Sequence, residues 1–283
     1  IQAGTLLPGE RLPPQRRLAD ALGVTIGTVT RGYAEAERNG WVSARVGSGT
    51  YVKSQDQNNA FSLTFPADET AGVIDLSLSL PPPHPLRQTL LSEALVALSQ
   101  SGAALARGVT YQQAQGRHDH REVLARWLNT LGMPLMADEL LITQGGQHGL
   151  SLALSTLLRP GELLAADALT YPGAISAAQQ GHLKLVGIGQ DSEGMRMDLL
   201  EAQCARQPPR AIYLTPEQNN PTGACLSESR RERLVTLARR YDIWLIEDGV
   251  QYLPAEQRGT PLYRLAPERT LFVFSTAKVL AGG

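Results

Sequence analysis

Lys278 closes the stretch "FSTAK" directly after the apolar run "TLFVF", and with Lys53 and Lys184 it is one of only three lysines among 26 basic residues. A scarce amine set among small residues at the end of a buried strand has the setting of a nucleophile, not of a solubilising surface charge. Three further polar signals stand in comparable places. "WLIED" ends in Asp248, and "LTPEQNNPTGA" carries Asn220 fixed ahead of Pro221. "ITQGGQHG" offers Gly145, Gly146 and Gln147, where backbone N–H groups at a helix start can meet a phosphate. Amine, carboxylate, amide and phosphate cradle together suit pyridoxal phosphate. A lysine forms the Schiff base, an aspartate keeps the pyridine nitrogen protonated and an asparagine holds the ring hydroxyl.

Such groups converge only if the elements beneath them are regular. From about residue 73 the chain alternates apolar runs with helical patterns. "ELLIT", "LLAAD", "LKLVGI", "AIYLT", "WLIED" and "TLFVFS" read as strands, and "HGLSLALSTLL", "MDLLEAQCARQ" and "SRRERLVTLARRYD" read as helices. That order predicts an α/β unit with a mainly parallel sheet covered on both faces. In an open parallel sheet, ligands gather beyond the carboxyl ends of the strands, where Asn220, Asp248, Ser275 and Lys278 all fall.

The first fifty residues have a different grain. "LPPQRRLADALG" shows a Pro-bounded helix start, apolar spacing at Leu18, Ala19 and Leu22, and a stop at Gly23. "VTIGTVTRGYAEAERNG" then starts on a capping Thr25, keeps Val29, Tyr33 and Ala36 on one face and ends at Gly40. "WVSARVGSGTYV" reads as a β-hairpin around Gly47 and Gly49. Between the two patterns, residues 54–72 are polar without a sustained period and read as a linker.

Composition bounds the class. A chain of 283 residues can bury a sizeable α/β core beside one small domain. No run of about 18 apolar residues suggests a membrane span, and the start shows no secretory leader. Cys204 and Cys225 form neither a metal-ligand spacing nor a disulfide framework, which points to a reducing compartment and no metal. The net charge of −1 hides a split. Residues 1–53 hold seven basic and four acidic side chains, a balance of +3 that leaves −4 for the rest and hints at nucleic acid for the head.

"LPPQRRLA", "GVTIGTVTRGY" and "VGSGTYV" together resemble the winged helix-turn-helix of GntR-type bacterial regulators. The resemblance implies a second helix in the major groove of double-stranded operator DNA and a wing against the phosphates. Arg16, Thr25, Thr28 and Arg31 are the implied contacts, with Gly49 letting the wing backbone approach closely. Ile26 stands where related regulators often carry an arginine. "NNPTG", "IED" and S-x-x-K, in this order, resemble the large domain of fold-type-I aminotransferases. That resemblance implies Lys278 as the aldimine lysine, Asp248 on the ring nitrogen, Asn220 on the phenolic oxygen and Tyr171 stacked on the ring. It implies Gly146, Gln147 and Ser275 on the phosphate, and Tyr111 lent to a neighbouring subunit, hence a homodimer. Gln251 stands where the family has a tyrosine, with Tyr252 beside it.

A GntR-type head joined to such a body resembles the MocR subfamily of bacterial transcription regulators. The implied organisation is a DNA-binding domain at 1–53, a linker at 54–72 and an aminotransferase-like domain at 73–283. By that resemblance the chain is truncated at both ends, lacking most of the head's first helix and the C-terminal small domain. The implied function is cytoplasmic transcriptional regulation, sensing an amino compound or the cofactor through pyridoxal phosphate. An aminotransferase with an accessory DNA-binding head is the alternative.

Overall fold

The computed structural model describes residues 6–7, 9–38, 41–45, 49–52, 84–251 and 253–280. The chain separates into two compact units, Ile1–Ala67 and Asp68–Gly283. Gly40, Gly47, Lys53, Tyr252 and the segment 54–72, expected to be a linker, lie outside the described residues.

In the first unit, α1 (Gln15–Leu22) ends where Gly23 takes a left-handed conformation, φ 64°, and α2 (Ile26–Arg38) follows. Thr25 caps α2, its Oγ1 accepting the Thr28 N–H at 3.2 Å. Ala19, Val29 and Tyr33 form the core between the helices, with Leu12 and Leu18 packed against it. The Tyr33 hydroxyl donates to the Pro13 carbonyl at 2.6 Å, which fixes the entry to α1. Strands β1 (Val42–Arg45) and β2 (Gly49–Val52) pair antiparallel, Val42 opposite Val52. The backbone of residues 9–12 extends this ladder through bonds from Gly9 to Val52 and from Leu12 to Thr50, at 2.9 and 2.8 Å.

The second unit begins with α3 (Pro85–Gln100), α4 (Gly102–Gly108) and α5 (His118–Thr130). No residue of α3 is buried, and Leu90, Leu91 and Leu95 are more than half exposed. Among the described residues no single helix is long and apolar enough to cross a membrane, although α3 and α4 pass that test as a pair bent by 92°. The α/β body follows as α6 (Gly145–Leu157), β3 (Leu163–Asp167), α7 (Pro172–Gln180), β4 (Lys184–Ile188), the short pair β5 (Gln190–Asp191) and β6 (Gly194–Met195), α8 (Met197–Arg206), β7 (Ala211–Leu214), α9 (Glu228–Arg240), β8 (Trp244–Asp248), α10 (Leu262–Leu265) and β9 (Thr270–Val273).

Five strands form one parallel sheet in the order β4-β3-β7-β8-β9. Its two faces bury separate apolar clusters, as a strand period of two requires. Ile212, Leu214 and Leu245 join Leu200 of α8 and Leu234 of α9 on one face. Ala211, Tyr213 and Ile246 join Leu150 of α6 and Ala174 of α7 on the other. The chain leaves β3 toward β4 and leaves β7 toward β8, so the switch point lies between β3 and β7.

One expected strand is corrected. Among the described residues "ELLIT" forms no strand: residues Ala137–Glu139 make a 3-10 turn, and the extended segment after it takes one backbone bond from them, from Ile142 N–H to the Gln115 carbonyl at 3.1 Å. An extended run becomes a strand only when a neighbour takes its alternate backbone groups.

Candidate functional site

Asp248 is the last residue of β8 and is 7% exposed. Its Oδ2 accepts from the Tyr213 hydroxyl at 2.6 Å and its Oδ1 from the Val250 N–H at 3.0 Å. Burial pushes this carboxyl above the ordinary aspartate range, and the two donors partly offset the push. The adjacent Glu247 faces the other way, its two oxygens accepting the N–H groups of Leu262 and Tyr263, both at 2.9 Å.

Lys278 ends the 3-10 turn Thr276–Lys278, which Ser275 opens by accepting the Ala277 N–H at 3.2 Å. The lysine is half-buried, and burial lowers its amine below the ordinary value. The next strand end over, Asp248, is one strand away, since β8 and β9 pair side by side with Asp248 opposite Val273.

Helix α6 starts with Gly145 at φ 79°, has no side-chain cap and carries no acid in its first turn. A Cβ on Gly146 would lie 3.1 Å from Val250 and 3.7 Å from Ser275, so the start of α6 sits against the ends of β8 and β9. Gln147 donates to the Gly173 carbonyl at 3.0 Å, and a Cβ on Gly173 would strike both Gln147 and the Tyr171 ring. Tyr171 is half-buried at the start of α7. Burial and then the nearby Asp248 charge raise its phenol above the usual range.

The structure therefore brings Gly146, Gln147, Tyr171, Asp248 and Ser275 into linked contacts, with Lys278 three residues beyond Ser275. Asn220 is half-buried in the turn after β7, beside the switch point, and its peptide bond to Pro221 is cis. Its neighbour Asn219 is buried and donates to Asp167 at 3.1 Å. Tyr111 is not gathered in; it is fully exposed after α4. Gln251 is half-buried.

In the first unit Arg16, Thr25, Thr28 and Arg31 are all exposed. Thr25, Thr28 and Arg31 follow at three-residue steps outside the buried stripe of Val29 and Tyr33, and the two threonine hydroxyls lie 2.9 Å apart. Gly49 takes φ 118°, and a Cβ there would come within 2.7 Å of Arg11 Nε. The close approach at this glycine is thus used by Arg11, which the sequence reading did not single out.

Two other residues escaped that reading. Tyr213 sits in the apolar run "AIYLT", where a lone buried hydroxyl signals a partner elsewhere. Asp167, at the end of β3, is a buried carboxyl whose Oδ1 has no hydrogen-bond partner among the described residues.

Residues 76–250 match aminotransferase class I and II. The chain belongs to that family. Residues 1–52 match the bacterial regulatory proteins of the gntR family, so a GntR helix-turn-helix head precedes the aminotransferase-like body. The pairing agrees with the MocR arrangement. The HTH-type transcriptional regulator YdeF of Bacillus subtilis is 28% identical over 100% of this chain and 60% of its own length. The HTH-type pyridoxine biosynthesis transcriptional regulator PdxR of Corynebacterium glutamicum is 29% identical over 99% of this chain and 61% of its own. Among solved structures, the α-aminoadipate aminotransferase LysN from Thermus thermophilus, complexed with N-(5'-phosphopyridoxyl)-L-leucine, is similar with a TM-score of 0.63 and 28% identity. That likeness covers 72% of this chain and 52% of LysN. The chain thus spans about 60% of the length of these two regulators. Class I and II aminotransferases are, as a family, pyridoxal-phosphate proteins, and a GntR head implies DNA binding.

Proposed function

We propose that this chain is a DNA-binding transcriptional regulator of the MocR kind, acting in the bacterial cytoplasm, whose body takes pyridoxal phosphate and reads an amino compound or the cofactor itself. The observation that carries this is the joining, in one chain, of a GntR-family head at 1–52 to an aminotransferase body at 76–250. A relative named for transcriptional regulation of pyridoxine biosynthesis, similar over 99% of this chain and 61% of its own length, adds support.

The residues fit the cofactor. The uncapped start of α6, free of acids in its first turn and backed by Ser275, suits a phosphate at Gly146, Gln147 and Ser275. Tyr171 offers a ring face beside Gln147, Asn220 an amide for the phenolic oxygen, and Asp248 a buried carboxylate for the ring nitrogen. Pyridoxal phosphate, when bound, supplies a carbonyl carbon open to amines and a ring that draws electrons. Burial keeps a larger neutral fraction on the Lys278 amine, and the neutral amine is the nucleophilic form. Tyr111, exposed on this chain, is assigned to the site of a second subunit in a homodimer. Arg16, Thr25, Thr28 and Arg31 face the operator, with Gly49 shaping the wing.

The test is a visible-absorption titration of the chain with pyridoxal phosphate, then borohydride reduction and mass mapping. The expected result is a new band with label on Lys278. Label spread over Lys53 and Lys184, or no band, counts against the reading. A panel of amino acids with keto acids should give conversion limited to about one product per chain, whereas sustained turnover would favour an enzyme.

A further inference from the structure

The bond between Tyr213 and Asp248 carries one step more. All four residues of β7 are buried, and Tyr213 is 0% exposed within the apolar cluster that faces α6 and α7. Strands β7 and β8 run parallel with Tyr213 beside Ile246, so Asp248 stands two residues further along on the same face. The phenol spans that diagonal and reaches Oδ2, while the backbone of Val250 occupies Oδ1. Each oxygen of Asp248 thereby has a donor fixed by the sheet or by the turn that follows it.

A buried hydroxyl and a buried carboxylate are each costly without a partner, and each supplies the other's. No apolar residue of the same shape does this. Phenylalanine would fill the space and keep the packing, yet leave Oδ2 without its donor.

We propose that Tyr213 is a positioning residue for Asp248, holding the carboxylate in one orientation, and as an acceptor, toward the site bounded by Tyr171 and the start of α6. The proposal rests on the reading in which Asp248 meets the ring nitrogen of pyridoxal phosphate. It concerns the carboxylate itself, so it is testable without the cofactor. The phenol donates to the ionised form and so opposes the upward push of burial on the Asp248 carboxyl.

The experiment uses the full chain in two states. Without cofactor, carbon-13 NMR of labelled aspartate follows the Asp248 carboxyl through a pH titration, with the resonance assigned by Asp248→Asn. In Tyr213→Phe the midpoint should rise by roughly one pH unit, while the melting curve stays cooperative. An unchanged midpoint overturns the proposal, whatever the cofactor does. With pyridoxal phosphate, Tyr213→Phe should weaken binding about tenfold, and the same change made in Asp248→Asn should weaken it by much less. Equal losses in both backgrounds would reduce Tyr213 to packing and overturn the proposal. A wild-type chain that shows no band fails the cofactor reading alone, because the carboxyl titration still decides the role of Tyr213.

Discussion

Asn219 donates from Nδ2 to Asp167 Oδ2 at 3.1 Å, and this buried bond ties the turn that carries Asn220 to the end of the strand that leads to Tyr171. The turn is braced further on its own side. Asn219 Oδ1 accepts the Thr222 hydroxyl at 3.0 Å, and Thr222 in turn accepts from Gln190, whose other amide atom receives the Leu169 N–H. Two strand ends at the switch point are thus locked at a fixed spacing.

Burial pushes the Asp167 carboxyl up to about 7, against the smaller downward effect of Asn219. An unfolded aspartate titrates near about 4, so across that window the folded chain retains a proton that the unfolded chain has released. Stability therefore falls as pH rises from about 4 to 7 and is level above it. Glu247, also pushed to about 7, adds a slope of the same sign but is common to any pair of proteins compared here. Asp167→Asn cannot ionise. Urea unfolding at about pH 4.5, 6 and 7.5 should show the variant gaining on the wild type at each step. A difference independent of pH would refute the assignment.

Arg231 is fully buried, with Nη2 donating to Glu217 at 2.7 Å and to the Pro216 carbonyl at 3.2 Å, while Nε and Nη1 reach the carbonyls of Leu226 and Thr260. Arg231→Met strands the Glu217 carboxylate in the interior and should cost about 3–5 kcal/mol. Adding Glu217→Gln should recover part of that loss. Urea midpoints of the two single variants and the double variant check this, and full additivity would mean the pair is not coupled.

Gly49→Ala meets two obstacles, a φ of 118° and the Arg11 side chain 2.7 Å from the new Cβ. A loss of about 1–3 kcal/mol in the head is expected. Arg11→Ala in the same chain should relieve the steric part and leave the backbone part. Amide exchange of the β2 residues reads both, and complete rescue by Arg11→Ala would show that φ carries no cost.

Arg16 and Arg31 are the exposed cations assigned to DNA. Each replaced by alanine should lower the slope of log affinity against log salt by about one, measured by fluorescence anisotropy on a duplex. Thr28→Val should leave the slope alone. Unchanged slopes in both arginine variants would move the phosphate contacts elsewhere on the head.

Much of this was legible in the sequence because buried parallel strands read as continuous apolar runs, and the groups that matter lie where those runs stop. "WLIED" and "TLFVFS" announce both a strand and its mouth, so Asp248, Ser275 and Lys278 could be placed before any coordinate. "ELLIT" is as apolar as the others, but strand formation depends on a neighbour, which local pattern does not report. The bonds of Tyr213 to Asp248 and Asn219 to Asp167 join residues 35 and 52 positions apart. Alternation tells which face each occupies, while the meeting of two particular side chains follows from sheet order and register. Arg11 against Gly49 is of the same kind: the glycine was visible, its occupant was not.

Glu247 and Asp248 point to opposite faces of β8, one engaged with α10 and the other with β7. A shift of one residue would send each carboxylate to the wrong side and break four hydrogen bonds together. Inherited change in this segment should accordingly proceed by exchange of side chains at constant length, and a gained or lost codon between Trp244 and Val250 should be purged even where its apolar character is kept.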